Sequence, residues 1–400
     1  MAVLTERMKR GVLKHKVSLK LPLFIILILV RLCRYQPLLK LHYAPILELC
    51  CTGALLSVLT HLPQFCPRNV APNLLTLIGF LSTVLNFSLL TYYDPNFTGP
   101  EKIPRWLWLW SAILIFIAHT LDGIDGKQAR RIGLSSPLGE LLDHSCDAWT
   151  AFFLPASFFT LLSDQLALPD LFYYHWMIAG GFLIAHWEKS LTGVLYLPWS
   201  YDLSQIAVVV MFLLTYLFSP SIWSLRLPVV NLLLSDIIPY FAAVLFWVFS
   251  VSISVFNVVK ACRKGSAPWP TLPAIVCPLL GNIFAYVLSR VWLVYSPTHV
   301  ITRCPRLFLV CMGTLSAHIT TRVILAELTK TRPPTWPSLM TLYALAVLAV
   351  CFGLPPSLAA RFEMPCLVTL TTVIIVTHTF FCICMVNELC SLFKIRAFLV

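Results

Sequence analysis

The sequence predicts an all-α integral membrane protein, built as a polytopic bundle of about ten transmembrane helices. Two observations predict this fold. Of the 400 residues, 58% are hydrophobic and 12% are charged, and this charged fraction is about half that of an ordinary soluble domain. The apolar residues are also gathered in long runs of about 20 residues, which is the length of a helix that crosses a bilayer. An ordinary soluble protein is therefore excluded.

Ten apolar runs are long enough to cross a membrane as helices. They lie at about residues 74–93, 105–121, 140–164, 171–187, 204–220, 235–259, 272–296, 305–327, 338–356 and 366–390. Proline-containing breaks such as residues 94–96, 267–270 and 332–334 separate them, and such breaks end helices. We therefore expect each run to form one helix.

The amino-terminal segment differs from the rest of the chain. Residues 1–20 carry six lysines and arginines against the single acid Glu6, and the short apolar run 21–30 follows. This pattern is typical of a basic helix that lies on the membrane surface or of an uncleaved signal anchor. The run is short for a span and Arg31 closes it, so the sequence favours the interfacial helix.

Basic residues predict the orientation of the bundle. The chain has 29 Lys and Arg against 17 Asp and Glu, a net charge of +12. Because the excess flanks apolar runs, it favours contact with an anionic membrane surface over contact with nucleic acid. On one side lie Arg68, Lys127, Arg130, Arg131, Lys189, Lys260, Arg263, Lys264, Lys330, Arg332, Lys394 and Arg396, and on the other Lys102, Arg105, Arg226, Arg303, Arg306 and Arg361. The first, more basic side is predicted to be cytosolic.

An acidic stretch at residues 121–149 belongs to that side. It holds five of the 17 acids: Asp122, Asp125, Glu140, Asp143 and Asp147. On a helix, Asp122 and Asp125 share an arc of about 100° with Gly126 and Ala129, and Glu140, His144 and the last two aspartates share another. A turn at residues 133–137 joins the two helices. We therefore expect five carboxylates and one imidazole to converge, and acids near bilayer depth by default mark a functional site.

Converging carboxylates repel one another, and a divalent cation is the simplest partner for them. An oxygen-only ligand set suits Mg²⁺, Mn²⁺ or Ca²⁺. Gly126 and Ala129 leave room for a phosphate group, which Lys127 and Arg130 could bind. The pattern therefore indicates metal-assisted displacement at phosphorus.

Two other interpretations of the acidic stretch were weighed. An acid and base network that caps helix ends would explain one or two carboxylates, but hardly five on two inward faces. A divalent-cation transporter would use the cluster as a relay, and transporters often contain internal repeats. The sequence has no evident repeat, so the enzyme is favoured.

The motif around these residues resembles the signature of the CDP-alcohol phosphotransferases. It reads Asp122-x2-Asp125-Gly126-x2-Ala129-Arg130-x8-Gly139-x3-Asp143-x3-Asp147. The segment GELLDHSCD at 139–147 is similar to the cholinephosphotransferase and ethanolaminephosphotransferase branch, and APNLLT at 71–76 resembles a Pro-Asn motif of the family. Residues 185–205 look more like the ethanolamine enzymes than the choline enzymes. Residues 1–65 depart from the family pattern.

The resemblance implies a role for each candidate site residue. Two Mg²⁺ ions, for which Mn²⁺ is a possible substitute, would be held by Asp122, Asp125, Glu140, Asp143 and Asp147. Asn73, Gly126, Ala129, Arg130 and Gly139 would form the nucleotide site. His144 is expected to accept the proton of the attacking hydroxyl, because an imidazole takes up a proton near neutral pH. Asp147 is the alternative proton acceptor.

The resemblance also implies the reaction and its setting. The chain is expected to transfer phosphoethanolamine from CDP-ethanolamine to diacylglycerol in the membrane, giving phosphatidylethanolamine and CMP. The alternative is a cholinephosphotransferase or a dual enzyme. The expected location is the endoplasmic reticulum or the Golgi, as a homodimer, with an interfacial segment at residues 1–70, a catalytic core at 71–220, and further helices for lipid access and dimer contacts at 221–400.

Four residues within the ethanolamine-like stretch have two interpretations. They are Trp187, Glu188, Trp199 and Tyr201. A primary ammonium donates hydrogen bonds, and a quaternary ammonium favours an aromatic cage, so any of the four could contact a head group. Aromatic residues are also common at membrane interfaces. We expect the interfacial role.

Overall fold

The computed structural model describes residues 66–196, 200–226 and 233–400. Within these residues the protein is helical, and the only β-type pairing is an isolated bridge between Arg226 and Leu233. The all-α prediction is confirmed for this part of the chain. The prediction of an interfacial helix falls on residues 1–65, which lie outside the described residues.

The helices of the described part follow the predicted apolar runs. They are α1 (Pro72–Tyr93), α2 (Arg105–Ile132), α3 (Pro137–Phe159), α4 (Leu168–Thr192), α5 (Ser200–Phe218), α6 (Leu234–Val244), α7 (Ile253–Arg263), α8 (Leu272–Tyr295), the one-turn α9 (Val300–Arg303), α10 (Pro305–Leu328), α11 (Ser338–Leu348) and α12 (Pro356–Phe393). A π-helical segment, Leu245–Ser252, joins α6 to α7, and another, Ala349–Gly353, extends α11. Each predicted run overlaps one helix or one such continuous segment.

Six helical segments of the described residues are long and apolar enough to cross a membrane, by length and composition. They are Pro72–Tyr93, Arg105–Ile132, Ala242–Arg263, Leu272–Tyr295, Pro305–Leu328 and Pro356–Phe393. Two shorter apolar helices lie at Asp202–Phe218 and Ser338–Gly353. Helices α3 and α4 have 23 and 25 residues, but both carry several charged side chains. The protein is therefore a polytopic membrane helix bundle.

Polar contacts between helix ends show that α3 and α4 run in opposite directions. Lys189, near the end of α4, contacts Glu140 at the start of α3 and lies 3.0 Å from Glu327 Oε1 at the end of α10. Asn73, at the start of α1, donates a hydrogen bond to the carbonyl of Ala397 after α12 (2.7 Å). These residues define one end of the bundle, called the site end below.

A second set of contacts defines the opposite end. Arg306, at the start of α10, donates to the carbonyl of Asp94 after α1 (2.7 Å) and to Thr160 Oγ1 after α3 (2.9 Å). Its guanidinium lies 3.9 Å from the ring centroid of Phe97. Glu363 of α12 accepts hydrogen bonds from Trp292 and Ser296 at the carboxyl-terminal end of α8.

Helix α3 occupies the middle of the bundle and is held on several sides. Phe152 of α3 is 1% exposed and packs in one apolar cluster with Phe308 of α10 and Trp292 of α8. On the other side, α1 and α2 approach closely, since a Cβ atom on Gly79 would lie 3.2 Å from the carbonyl oxygen of Ala118. These contacts fix α3 against α8 and α10, and α1 against α2. The first turns of α3 and the last turns of α2 carry the acidic stretch.

Substitution of Arg306 tests this architecture. We expect Arg306→Ala to lower the free energy of unfolding by about 3 kcal/mol, because the charged hydrogen bonds to Asp94 and Thr160 are lost in a buried site. Arg303→Ala, at an exposed position on α9, is the matched control and should have little effect. The measurement is thermal unfolding in detergent, and equal melting temperatures for the two variants would contradict the expectation.

Candidate active site

A tight turn brings the two halves of the acidic stretch together. Gly133, with φ of 73°, ends α2 in the left-handed conformation, which glycine adopts without strain. Three residues later Ser136 caps α3, because its hydroxyl oxygen accepts a hydrogen bond from the amide of Gly139 (3.2 Å). The predicted turn at residues 133–137 is confirmed, and it places the acids of α2 beside those of α3.

Three carboxylates form the centre of the site. Asp122 of α2 and Asp143 and Asp147 of α3 each offer an oxygen atom, and these atoms lie within 4.8 Å of one another. Oδ1 of Asp143 is buried and has no hydrogen-bond partner among the described residues. Three like charges at this separation repel one another, and an oxygen-only set with an unpartnered acceptor fits a hard divalent ion. A group of three aspartates that could bind a metal is therefore present.

The other two predicted metal ligands, Asp125 and Glu140, lie beside the three carboxylates, and each contacts other residues. Asp125 is 6% exposed and accepts hydrogen bonds from the hydroxyl of Thr76 and from the amide of Gly126. Glu140 forms an ion pair with Lys189. Both acids border the same cavity as Asp143. Their roles as metal ligands stay predictions.

His144 lies behind the carboxylates, on the side of α4. Its ring centroid is 4.7 Å from that of His186, and its Nε2 atom lies 4.0 Å from Oδ2 of Asp143. Its Nδ1 atom is buried and without a hydrogen-bond partner in the described part of the chain. The helical arc predicted from the sequence put this imidazole beside Asp147, whereas the α3–α4 packing turns the ring toward His186. Its role as proton acceptor stays a prediction.

A polar cavity of about 290 Å³ opens beside the carboxylates at the site end, and it is called the outer cavity below. All five residues of the predicted nucleotide site line it: Asn73, Gly126, Ala129, Arg130 and Gly139. A Cβ atom on Gly139 would lie only 3.2 Å from Oδ1 of Asn73, so glycine permits the close approach of α1 and α3. The outer cavity thus combines a guanidinium, an amide and small residues, which suits a phosphate-bearing ligand.

An apolar cavity of about 220 Å³ reaches the carboxylates from within the bundle. It lies between α3, α4, α5 and the π-helical segment, and Phe158, Met177, Phe182 and Phe246 line it together with Asp147. The sequence analysis did not predict this cavity, because its walls come from four segments that are distant in the chain. The carboxylate centre therefore contacts both a polar cavity and an apolar one.

A charged network that the sequence analysis missed supports the site from α10. Glu327 lies 3.0 Å from Lys189 Nζ through Oε1 and 3.7 Å from His186 Nδ1 through Oε2. Lys189 in turn contacts Glu140, and His186 packs on His144. In the sequence, the only sign of this network is an acidic residue, Glu327, near the end of an apolar run. The carboxyl-terminal helices thus support the first turns of α3.

The interfacial interpretation of Trp187 and Glu188 is wrong. Trp187 is 7% exposed and donates a hydrogen bond from Nε1 to the carbonyl of Ile275 (2.9 Å). Glu188 is 1% exposed and accepts from Asn257 Nδ2 (2.7 Å). Both residues face other helices because the end of α4 is enclosed by α7 and α8. Trp199 lies outside the described residues, as does the side chain of Tyr201.

Comparisons with known proteins show the relatives of this chain. Residues 69–249 match the sequence profile of the CDP-alcohol phosphatidyltransferases, and this range includes every predicted site residue. Ethanolaminephosphotransferase 1 from Homo sapiens is 32% identical over 339 residues, which cover 83% of this chain and 84% of that protein, and the Mus musculus protein of that name matches equally. Cholinephosphotransferase 1 from Danio rerio is 33% identical over 281 residues, or 67% of this chain and 70% of that protein.

Binding of Mn²⁺ tests the carboxylate centre without an activity assay. We expect Asp147→Asn to lower the affinity for Mn²⁺ at least about tenfold and to raise the melting temperature of the metal-free protein, because one of three repelling charges is removed. Asp170→Asn, at an exposed position at the start of α4, is the control. The measurements are a Mn²⁺ titration and melting curves with and without the ion, and a wild-type Mn²⁺ response in Asp147→Asn would contradict the assignment.

Proposed function

Because the chain belongs to the CDP-alcohol phosphotransferase family, we propose that it transfers phosphoethanolamine from CDP-ethanolamine to diacylglycerol, giving phosphatidylethanolamine and CMP. One observation carries the proposal: the carboxylate centre contacts a polar cavity that suits a nucleotide diphosphate and an apolar cavity that suits a lipid. The relatives named ethanolaminephosphotransferase 1, which match over 83% of the chain, support ethanolamine as the head group.

The donor occupies the outer cavity in this proposal. Arg130 contributes a guanidinium that pairs with phosphate oxygens, and Asn73 contributes an amide for the nucleotide. Gly126, Ala129 and Gly139 keep side-chain volume out of the space that the diphosphate needs. The lining of the outer cavity by these five residues supports their assignment.

The carboxylates hold the metal ions that the family requires. Asp122, Asp125, Glu140, Asp143 and Asp147 would ligate two Mg²⁺ ions, with Mn²⁺ a possible substitute. When bound, the ions neutralise the negative charge on the phosphate oxygens. The polar contacts of Asp125 with Thr76 and of Glu140 with Lys189 orient these two side chains at the border of the outer cavity.

The lipid acceptor enters the apolar cavity from the bilayer. Its acyl groups contact Phe158, Phe182 and Phe246, and its hydroxyl approaches Asp147, the carboxylate that lines this cavity. The hydroxyl oxygen forms a bond to the phosphorus that carries ethanolamine, and the bond from that phosphorus to CMP breaks. His144, whose Nε2 atom lies 4.0 Å from Oδ2 of Asp143, is the proposed proton acceptor. Asp147, which lines the apolar cavity, is the alternative.

We further propose that the site end faces the cytosol and that the protein resides in the endoplasmic reticulum or the Golgi. The excess of basic residues at the site end supports this orientation. The protein would act as a homodimer, with residues 221–400 providing contacts and lipid access. Val376, Phe380 and Ile383 of α12 are more than half exposed, and this apolar face supports contact with lipid or with a second copy.

Two alternative functions are a choline or dual-specificity transferase and a divalent-cation transporter. The match to cholinephosphotransferase 1 over 67% of the chain fits a choline or dual enzyme. A divalent-cation transporter of the same fold would not need a nucleotide site beside its acids. An ethanolamine enzyme turns over mainly CDP-ethanolamine, and a choline or dual enzyme also turns over CDP-choline. A transporter turns over neither donor.

The reaction is tested with purified protein, Mg²⁺ and diacylglycerol in micelles. We expect CMP and phosphatidylethanolamine to form from CDP-ethanolamine, with a smaller rate from CDP-choline. Asp122→Asn should reduce turnover at least about 100-fold, because charge neutralisation at phosphorus depends on the carboxylates. Asp170→Asn is the control for a general effect of removing an acid. A wild-type preference for CDP-choline would overturn the head-group assignment, and full activity of Asp122→Asn would overturn the mechanism.

The proton acceptor is tested with His144→Ala. We expect this variant to bind CDP-ethanolamine with an unchanged dissociation constant and to lose turnover by about 100-fold or more, because general base catalysis supplies factors of this size. Binding is followed by titration calorimetry and turnover by CMP release. Wild-type turnover in His144→Ala would exclude the histidine and assign the proton to Asp147.

A further inference from the structure

A third cavity, of about 20 Å³, adjoins the carboxylate centre between α1, α2, α3 and α5. It is called the small cavity below. Asp122, Asp143 and Asp147 form part of its wall. It shares Asp143 with the outer cavity and both Asp147 and Gln205 with the apolar cavity. The three cavities therefore meet at the carboxylate centre.

His119 lines the small cavity, and neither the family motif nor the proposed mechanism uses it. It lies three residues before Asp122 on α2 and is 5% exposed. Both ring nitrogens are buried without a hydrogen-bond partner among the residues that the structure describes. Buried polar groups are almost always hydrogen-bonded, so an unpartnered imidazole at a reaction centre indicates a ligand that is absent from the free protein.

Two neighbours on α5 determine what His119 can bind. Oδ1 of Asp202 lies 3.9 Å from Nε2 of His119, and its negative charge favours the tautomer that carries the proton on that nitrogen. Nδ1 is then a hydrogen-bond acceptor. Gln205, which is 6% exposed, lines the same cavity and its amide oxygen is a second acceptor. Apart from the carboxylates, which the proposed metal ions would occupy, the small cavity thus offers two hydrogen-bond acceptors beside apolar side chains such as Phe80 and Ile115. It suits a small group that donates hydrogen bonds.

We propose that the small cavity receives the ammonium end of the donor's ethanolamine group, and that His119 and Gln205 accept its N–H bonds. The inference rests on the proposed function, since CDP-ethanolamine supplies the ammonium. A primary ammonium has three N–H donors, whereas choline has none. The cavity holds little more than one water-sized group, which requires roughly 10–15 Å³, so the three methyl groups of choline do not fit. His119 is therefore a residue that determines head-group specificity.

A purely structural histidine is available for comparison. His175 of α4 is 2% exposed, and its nitrogens are likewise without partners in the described part of the chain. It packs in the apolar core, with its ring 5.3 Å from that of Phe152, and it does not line the outer, apolar or small cavity. Substitution of His175 therefore removes the same side chain from a buried site without changing the proposed subsite.

The experiment measures kcat and KM for CDP-ethanolamine and CDP-choline separately. The wild type is measured first, because an absence of turnover, or of a preference for CDP-ethanolamine, would overturn the proposed function before any variant is examined. For His119→Ala we expect the ratio of the two kcat/KM values to fall about tenfold, which is the effect of one lost hydrogen bond to a charged group. The change should arise from a higher KM for CDP-ethanolamine, and His175→Ala should leave the ratio unchanged.

Two further variants separate the hydrogen bond from the fold. His119→Leu fills the site without an acceptor and should lower the ratio as His119→Ala does, whereas His119→Gln keeps an acceptor and should restore most of it. An equal loss for both donors in His119→Ala and His119→Leu would overturn the inference and leave His119 as a packing residue. A shift in His175→Ala as large as that in His119→Ala would also overturn it.

Discussion

Repulsion among three carboxylates inside a membrane bundle is the constraint on which the rest of the structure depends. Asp122, Asp143 and Asp147 offer oxygen atoms within 4.8 Å of one another, and such a group is costly unless a cation neutralises it. Apolar packing in the rest of the bundle must therefore hold α2 and α3 in a fixed position relative to each other. The left-handed Gly133 and the cap at Ser136 set the turn, and the core around Phe152 fixes α3 from the other side.

The position of this centre explains how one site serves a water-soluble donor and a lipid acceptor. The outer cavity brings Arg130 and Asn73 to the carboxylates, and the apolar cavity brings a hydrophobic wall to Asp147. Because both cavities end at the same side chains, reacting groups of opposite polarity can meet without either substrate crossing the membrane. The small cavity adjoins the same three carboxylates.

Helices beyond the range matched by the family profile contribute to the same site. Glu327 of α10 holds Lys189 and lies beside His186, and these two residues contact Glu140 and His144. At the opposite end, Arg306 fixes the start of α10 to the loops after α1 and α3. Helix α10 is thus anchored at both ends. Through Lys189 and His186 it supports the first turns of α3.

The sequence by itself determined the helices, the turn and the identity of the acidic motif, because length, apolar runs and spacing along one chain are local properties. Only the tertiary structure decided which members of the motif meet. Three of the five acids converge, while Glu140 pairs with Lys189 and His144 turns toward His186. It also decided that Trp187 and Glu188 are enclosed and that His119 faces a cavity. Such facts depend on how each helix is rotated against its neighbours, and that rotation is set by contacts between residues far apart in the chain.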